Sequence, residues 1–323
     1  DRTNCDGYMD CYVRRPAHDG FRVKHSAYLP YVLLTFCALF WAGSSVVGRY
    51  VAGEIPPMAL NFWRWLFAFL IVLTWTSGEL WRHRALVFAK WRYISFLALS
   101  SAIGFGALHY VALQYTTAIN GALFQGLMSI FILISALVIL GDRFGIREGT
   151  GIVLGFAGVA VIVTRGDIGV MLGLTFNLGD IILLIATISY SVYAVFLRRA
   201  PDELSSSALM AGMFGFAALF MLPMWLIELY WFDRQLPVNL TAVWSIGFMT
   251  LGPSVLAQIF WAYSVSRIGP GTAGYFIYLA PVFGVLLATS LLGEDFYLFH
   301  AIGIVLIFAG IWLATLKQAR NES

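Results

Sequence analysis

The sequence predicts an all-α integral membrane protein whose ten transmembrane helices form two inverted-topology five-helix repeats. Three observations predict it. The composition suits a chain solvated by lipid: 60% of the 323 residues are hydrophobic, 11% are charged and the mean hydropathy is +0.81, whereas soluble domains carry roughly 25% charged residues. Apolar stretches of about 18 to 25 residues follow one another with little between them, each long enough to cross a hydrocarbon core of roughly 30 Å as a helix. One long motif also occurs twice. Residues 140–158 read LGDRFGIREGTGIVLGFAG and residues 292–310 read LGEDFYLFHAIGIVLIFAG. At an offset of 152, Leu140, Gly141, Phe144, Gly151, Ile152, Val153, Leu154, Phe156, Ala157 and Gly158 recur identically, which marks a duplication.

The elements follow in order. Residues 1–27 are polar, of mixed charge, and lack both an initiator Met and the apolar run of a signal peptide. They are expected to form a disordered cytoplasmic tail, and the missing Met points to a fragment or a mis-set start. The first repeat occupies 28–164, with spans near 28–51, 57–76, 92–113, 118–140 and 147–164. The third and fourth spans are open to being read as one long segment. An outer linker at 165–177 leads to the second repeat at 178–316, with spans near 178–198, 206–230, 240–263, 269–291 and 297–316, and a cytoplasmic tail at 317–323.

Lys and Arg near span ends are retained on the cytoplasmic side. With both termini inside, sixteen of the twenty basic residues fall on inner segments, while Arg49, Arg165 and Arg234 fall outside and Arg64 lies within a span. Five spans is an odd number, so the second repeat enters the membrane upside down relative to the first. Such pseudo-symmetry is the architecture of alternating access. Val46 and Arg49 after Trp41 are echoed by Val195 and Arg198 after Tyr190, at an offset of 149.

From about residue 30 to 316 the chain resembles the drug/metabolite transporter superfamily, and within it the EamA-type ten-helix exporters. LFWAGSSVVGRY in span one, LNFWRWLFAFL in span two, ALQYTTAINGAL before span four, the twin turns LGDRF and LGEDF, and SRIGPGTAGYFIYLAPVFGVLLA in span nine carry the resemblance. It implies a central cavity between the repeats and export of small metabolites, often amino acids or their relatives. Two positions depart from the family pattern. Ser129 stands where a proline matching Pro281 is usual, which puts the span-four kink and its gating role in doubt, and Asp142 replaces a Glu in the first turn.

Arg64 sits about 12 Å inside span two. An intramembrane arginine is costly unless paired or hydrated, so it faces protein or a water-filled cavity. Two readings stay open: a bidentate contact to a substrate carboxylate, or a structural arginine bonded to helix-end carbonyls or to Asn61. His109 is either a proton relay or a satisfied neutral histidine. Gln125 and Gln258 need partners within apolar runs; they contact substrate or join helices. Trp261 shares a helical face with Gln258, and Tyr275 and Tyr278 have the same spacing. With Trp41, Tyr190 and Ser44 they line a cavity or serve packing. Gly151, Gly155, Gly158, Gly303 and Gly310 favour close helix contact, internal or across a homodimer.

The carboxylates sit at span ends, Glu54, Asp167, Asp180, Glu228, Glu294 and Asp295 outside and Asp142, Glu148, Asp202 and Glu203 inside. None is expected at the midplane, which disfavours a cationic-drug antiporter. Cys5, Cys11 and Cys37 lack metal-ligand spacing, so no metal or cofactor is expected, and a net charge of +3 disfavours nucleic acid. Asn239-Leu-Thr241 matches a glycosylation acceptor. The sequence thus predicts a multi-pass inner (plasma) membrane exporter of small metabolites, amino acids or related zwitterions and anions, acting by alternating access in contact with lipid. Alternatives are a carrier of phosphorylated or nucleotide-linked metabolites, an integral-membrane enzyme, and a structural or signalling protein.

Overall fold

A computed structural model describes residues 28–51, 53–112, 115–116, 118–173, 177–201, 203–292 and 295–315. The two expected tails, 1–27 and 317–323, and Glu294 of the second turn lie outside the described residues. Among those described, secondary structure is helical throughout, and nine helices are long and apolar enough to cross a membrane. Helix is the expected form, because hydrocarbon offers backbone amides no partner and each segment must satisfy its own.

The nine are α1 (Leu29–Tyr50), α2 (Pro57–Arg82), α3 (Trp91–Ala112), α4 (Asn120–Leu140), α5 (Ile146–Val163), α6 (Leu178–Arg198), α7 (Ser206–Trp231), α8 (Leu240–Ser290) and α9 (Leu298–Thr315). Local chemistry sets their ends. Pro57 opens α2 at a position that needs no amide donor. Asn177 and Asp180 form a reciprocal capping box on α6. Ser205 caps α7 by accepting from the Ala208 amide, and Asn239 caps α8 by accepting from Ala242, so the side chain of the glycosylation triplet has a helix to hold. Gly141, at φ 73°, lets the chain leave α4 through the left-handed region.

The expected third and fourth spans are separate helices. Spans eight and nine instead run together as the 51 residues of α8, interrupted only where Gly269 takes φ 82° and ψ 158° ahead of Pro270. Without a Cβ, Gly269 reaches that conformation at little cost, and Pro270 cannot donate across the break. Three further irregularities are π-type: Leu99–Ala107 within α3, Ala136–Leu140 at the end of α4 and Thr250–Leu256 within α8. Wide turns of this kind concentrate at functional sites.

Packing follows small residues. α5 lies against α9, α2 against α7, α4 against α6, and α1 against both limbs of α8. A Cβ on Gly151 would come 2.6 Å from the Gly310 carbonyl oxygen, and one on Gly158 would come 2.6 Å from that of Gly303. The glycine faces are therefore consumed within the chain, which answers the internal-or-dimer question for these five residues. A mostly apolar core of buried side chains joins helices of both halves, from Leu34 and Trp65 to Trp261 and Ile307.

Candidate functional site

A cavity of about 1060 Å³ opens between the helices. α1 contributes Trp41 and Ser44, α2 Arg64 and Trp65, α3 Ser101, Phe105, Gly106 and His109, and α4 Gln125. α6 adds Tyr190, and α8 adds Ser254, Gln258 and Pro281. The mouth lies among Tyr50, Gly53, Arg234, Thr289 and His300. The opposite end is closed. There Arg198 pairs with Asp142 at 3.1 Å, Arg199 donates to the Ile139 carbonyl, Tyr93 donates to Phe196 O at 2.5 Å and Ser264 donates to Pro30 O at 3.1 Å. Asp142 thus ties the α4–α5 turn to the end of α6 as well as forming part of the turn.

Among the described residues, Arg64 is the one charged residue deep in this space. Among the described residues no carboxylate pairs with it, and its buried Nε has no hydrogen-bond partner. Its guanidinium carbon stands 5.3 Å from the Trp65 ring. The π-type turn of α3 brings Gly106 so close that a Cβ there would lie 3.7 Å from Nη2 of Arg64 and 3.9 Å from Oδ1 of Asn61. The expected Asn61–Arg64 bond does not form. Asn61 donates back to Pro57 O at 3.1 Å, leaving its buried Oδ1 without a partner, and Asn61 does not line the cavity.

The floor is aromatic. Trp41 meets Tyr190 edge-on with ring centroids 6.1 Å apart, and Trp261 lies 5.4 Å from Trp41 and 5.9 Å from Tyr190. Phe105 and Tyr193 complete the group at 5.2 and 5.3 Å from Tyr190. Tyr193 donates to Oε1 of Gln258 at 3.0 Å, fixing that amide at the cavity wall. His109 packs against Phe105 at 5.4 Å and Tyr110 at 6.0 Å.

Other expected members stand elsewhere. Trp261 is wholly buried behind Trp41, and Tyr275 and Tyr278 are 2% and 1% exposed. Tyr278 covers Gly155, where a Cβ would come within 2.5 Å of its ring, and donates to Ile152 O at 3.3 Å. None of these three rings lines the cavity, and that of Tyr278 is taken up by its contact with α5. Ser129 donates to Gly274 O at 2.7 Å, holding α4 to α8 where a proline was looked for. The sequence reading passed over Ser101, Gly106, Ser254, Arg234 and His300. Ser101 and Ser254 stand 153 apart, close to the repeat offset, and that was a usable signal. The π-type turns that aim them were not.

Comparison with known proteins places this architecture. A solved crystal structure superposes over 92% of the chain and 100% of its own length with a TM-score of 0.77 at 20% identity, a likeness of fold. An uncharacterized transporter of Archaeoglobus fulgidus is 28% identical over 291 residues, 89% of this chain and 98% of that protein. A protein of Streptantibioticus cattleyicolor named a probable terminal-alkyne amino-acid exporter is 26% identical over 244 residues, 72% of this chain and 77% of that protein. The EamA-like transporter family profile matches residues 29–164 and 177–316, the two stretches that carry the duplicated motif. This all-helical, membrane-spanning chain, built around a central cavity, belongs to the EamA-like transporter family: it is a transporter and not an enzyme.

Proposed function

We propose that the protein is a ten-crossing secondary transporter of the plasma membrane, with both termini cytoplasmic, that exports small carboxylate-bearing metabolites, amino acids and their relatives. The single observation that carries the substrate class is Arg64, a deep guanidinium with no carboxylate partner among the described residues, open to a cavity large enough for a metabolite. A bidentate contact to a ligand carboxylate supplies the missing counter-charge. The name of the Streptantibioticus relative supports the same class.

Ten crossings are supported by the break at Gly269, because 51 helical residues would measure about 77 Å, more than twice the hydrocarbon thickness. The inverted repeat is supported by reciprocity. Gly151 and Gly303 correspond at the 152 offset, as do Gly158 and Gly310, and the contacts are Gly151 with Gly310 and Gly158 with Gly303. Each residue meets its partner's counterpart, as a two-fold axis requires. Trp41 and Tyr190, also repeat-related, meet at the same centre. Substrate then reaches the cavity from one side at a time by rocking of one repeat against the other.

A carrier of phosphorylated metabolites needs several deep cations, and Arg234 sits only at the mouth. The test is transport by purified protein in liposomes across a panel of labelled amino acids and related carboxylates. Uptake above empty vesicles that is lost in Arg64→Gln supports the reading. Wild-type uptake of none of the panel, or full uptake by a folded Arg64→Gln protein, refutes it.

A further inference from the structure

We propose that the cavity selects organic anions, carboxylates with an apolar or aromatic body, over zwitterions and cations of the same shape. This rests on the carboxylate reading of Arg64 given above and narrows it. Among the described residues, no Asp or Glu lines the cavity, whereas Arg64 stands at its depth and Arg234 at its mouth. An amino acid would therefore find a partner for its carboxylate and none for its ammonium. Taking a charged group out of water without a counter-charge is costly.

The carboxylates on neighbouring helix ends are committed elsewhere. Glu228 accepts from the Ala59 amide at 2.7 Å and interacts electrostatically with Arg234. Asp180 accepts from Thr116 at 2.6 Å, Asn120 at 2.8 Å and the Asn177 amide at 2.9 Å. Asp142 is paired with Arg198 at the closed end.

Aromatic faces do not fill the gap. An ammonium cage needs ring faces turned toward the guest, but Trp41 and Tyr190 pack on each other and on Trp261, and Trp65 already faces the Arg64 guanidinium. Gln258 is likewise engaged, its Oε1 accepting from Tyr193. The remaining wall combines the apolar side chains of Phe105, Met128 and Ile277 with the uncharged polar groups of Ser44, Ser101, Gln125 and Ser254. The apolar part suits a ligand body that buries surface, and the uncharged groups supply no counter-charge.

The test keeps the body constant and varies only the charge. Wild-type protein in liposomes is assayed for counterflow of labelled 3-phenylpropionate, phenylalanine and phenethylamine at equal concentration. The expected order is anion, zwitterion, cation, with at least about tenfold between the first two, the size set by one unpaired buried charge. Phenylalanine taken up as well as phenylpropionate, and lost in Arg64→Gln, overturns the anion selectivity and leaves the carboxylate reading standing. Uptake of phenethylamine alone, or of none of the three, overturns both. A second arm adds the missing acid: Gln125→Glu is expected to lower the anion-to-zwitterion ratio several-fold, and an unchanged ratio counts against the proposal.

Discussion

Replacing Gly158 by Ala probes the seam between α5 and α9. The new Cβ would stand 2.6 Å from the Gly303 carbonyl oxygen, 2.7 Å from Ile307 Cγ1 and 3.0 Å from the Ile307 amide nitrogen. Two of these obstacles are backbone, which cannot rotate aside. The helices must part by roughly 1 Å to restore ordinary contact, and dispersion along the seam is lost with the separation. Overpacking of this kind costs about 1–3 kcal/mol. Gly149, earlier on the same helix, is the internal control, since a Cβ there meets nothing within 4 Å. Gly149→Ala should stabilise by about 0.5–1 kcal/mol through reduced backbone freedom in the unfolded chain. The two variants should therefore differ by about 1.5–4 kcal/mol, or roughly 3–8 °C in melting midpoint at about 2 °C per kcal/mol. Thermal unfolding followed by intrinsic fluorescence in detergent measures this. A Gly158→Ala protein as stable as Gly149→Ala would refute the close-packed seam, and with it the reciprocal glycine contact that supports the inverted repeat.

Three further outcomes are expected. Glu228→Leu leaves the Ala59 amide without its acceptor and should lower stability by about 1–3 kcal/mol, while Glu228→Gln, which keeps an acceptor, should cost less; equal losses would contradict the acceptor role. Ser129→Ala removes the bond from α4 to Gly274 O and should cost about 1 kcal/mol in the same assay, and no change would show that the helix contact does not depend on it. Asp142→Asn breaks a pair whose side chains are 28% and 43% exposed, so stability should fall by less than about 1 kcal/mol. Maleimide labelling of a cysteine placed at Ser264, in a background without native cysteines, should nevertheless rise as the closed end loosens. Unchanged labelling would remove the Asp142–Arg198 pair from the latch.

The helices were legible because membrane insertion is decided by length and apolarity, both written locally. The expected boundaries at 118–140 and 178–198 fall within two residues of α4 and α6. Span two ran longer, to Arg82, because a helix does not stop where the apolar run does: Ser77, Gly78 and Glu79 continue it into the polar zone. The joining of spans eight and nine was missed because residues 264–268, with Ser264, Ser266 and Arg267, read as a connection, whereas they are helical and the break lies at Gly269 ahead of Pro270.

The cavity was only partly legible. Arg64 stood out in sequence as the one charge deep within an apolar run, and periodicity placed Gln258 and Trp261 on one face. Periodicity cannot say which neighbour covers that face. Gln258 reaches the cavity while Trp261 is sealed behind Trp41, and Tyr278 is spent on the Gly155 gap. The sequence by itself determined the lipid-soluble helices, the duplication and the buried arginine, since each depends on residues close together in the chain or on simple repetition. Only the tertiary structure decided that, among the described residues, the cavity wall bears cations and no carboxylates. That outcome depends on where Glu228, Asp180 and Asp142 find their partners, and those partners lie on other helices.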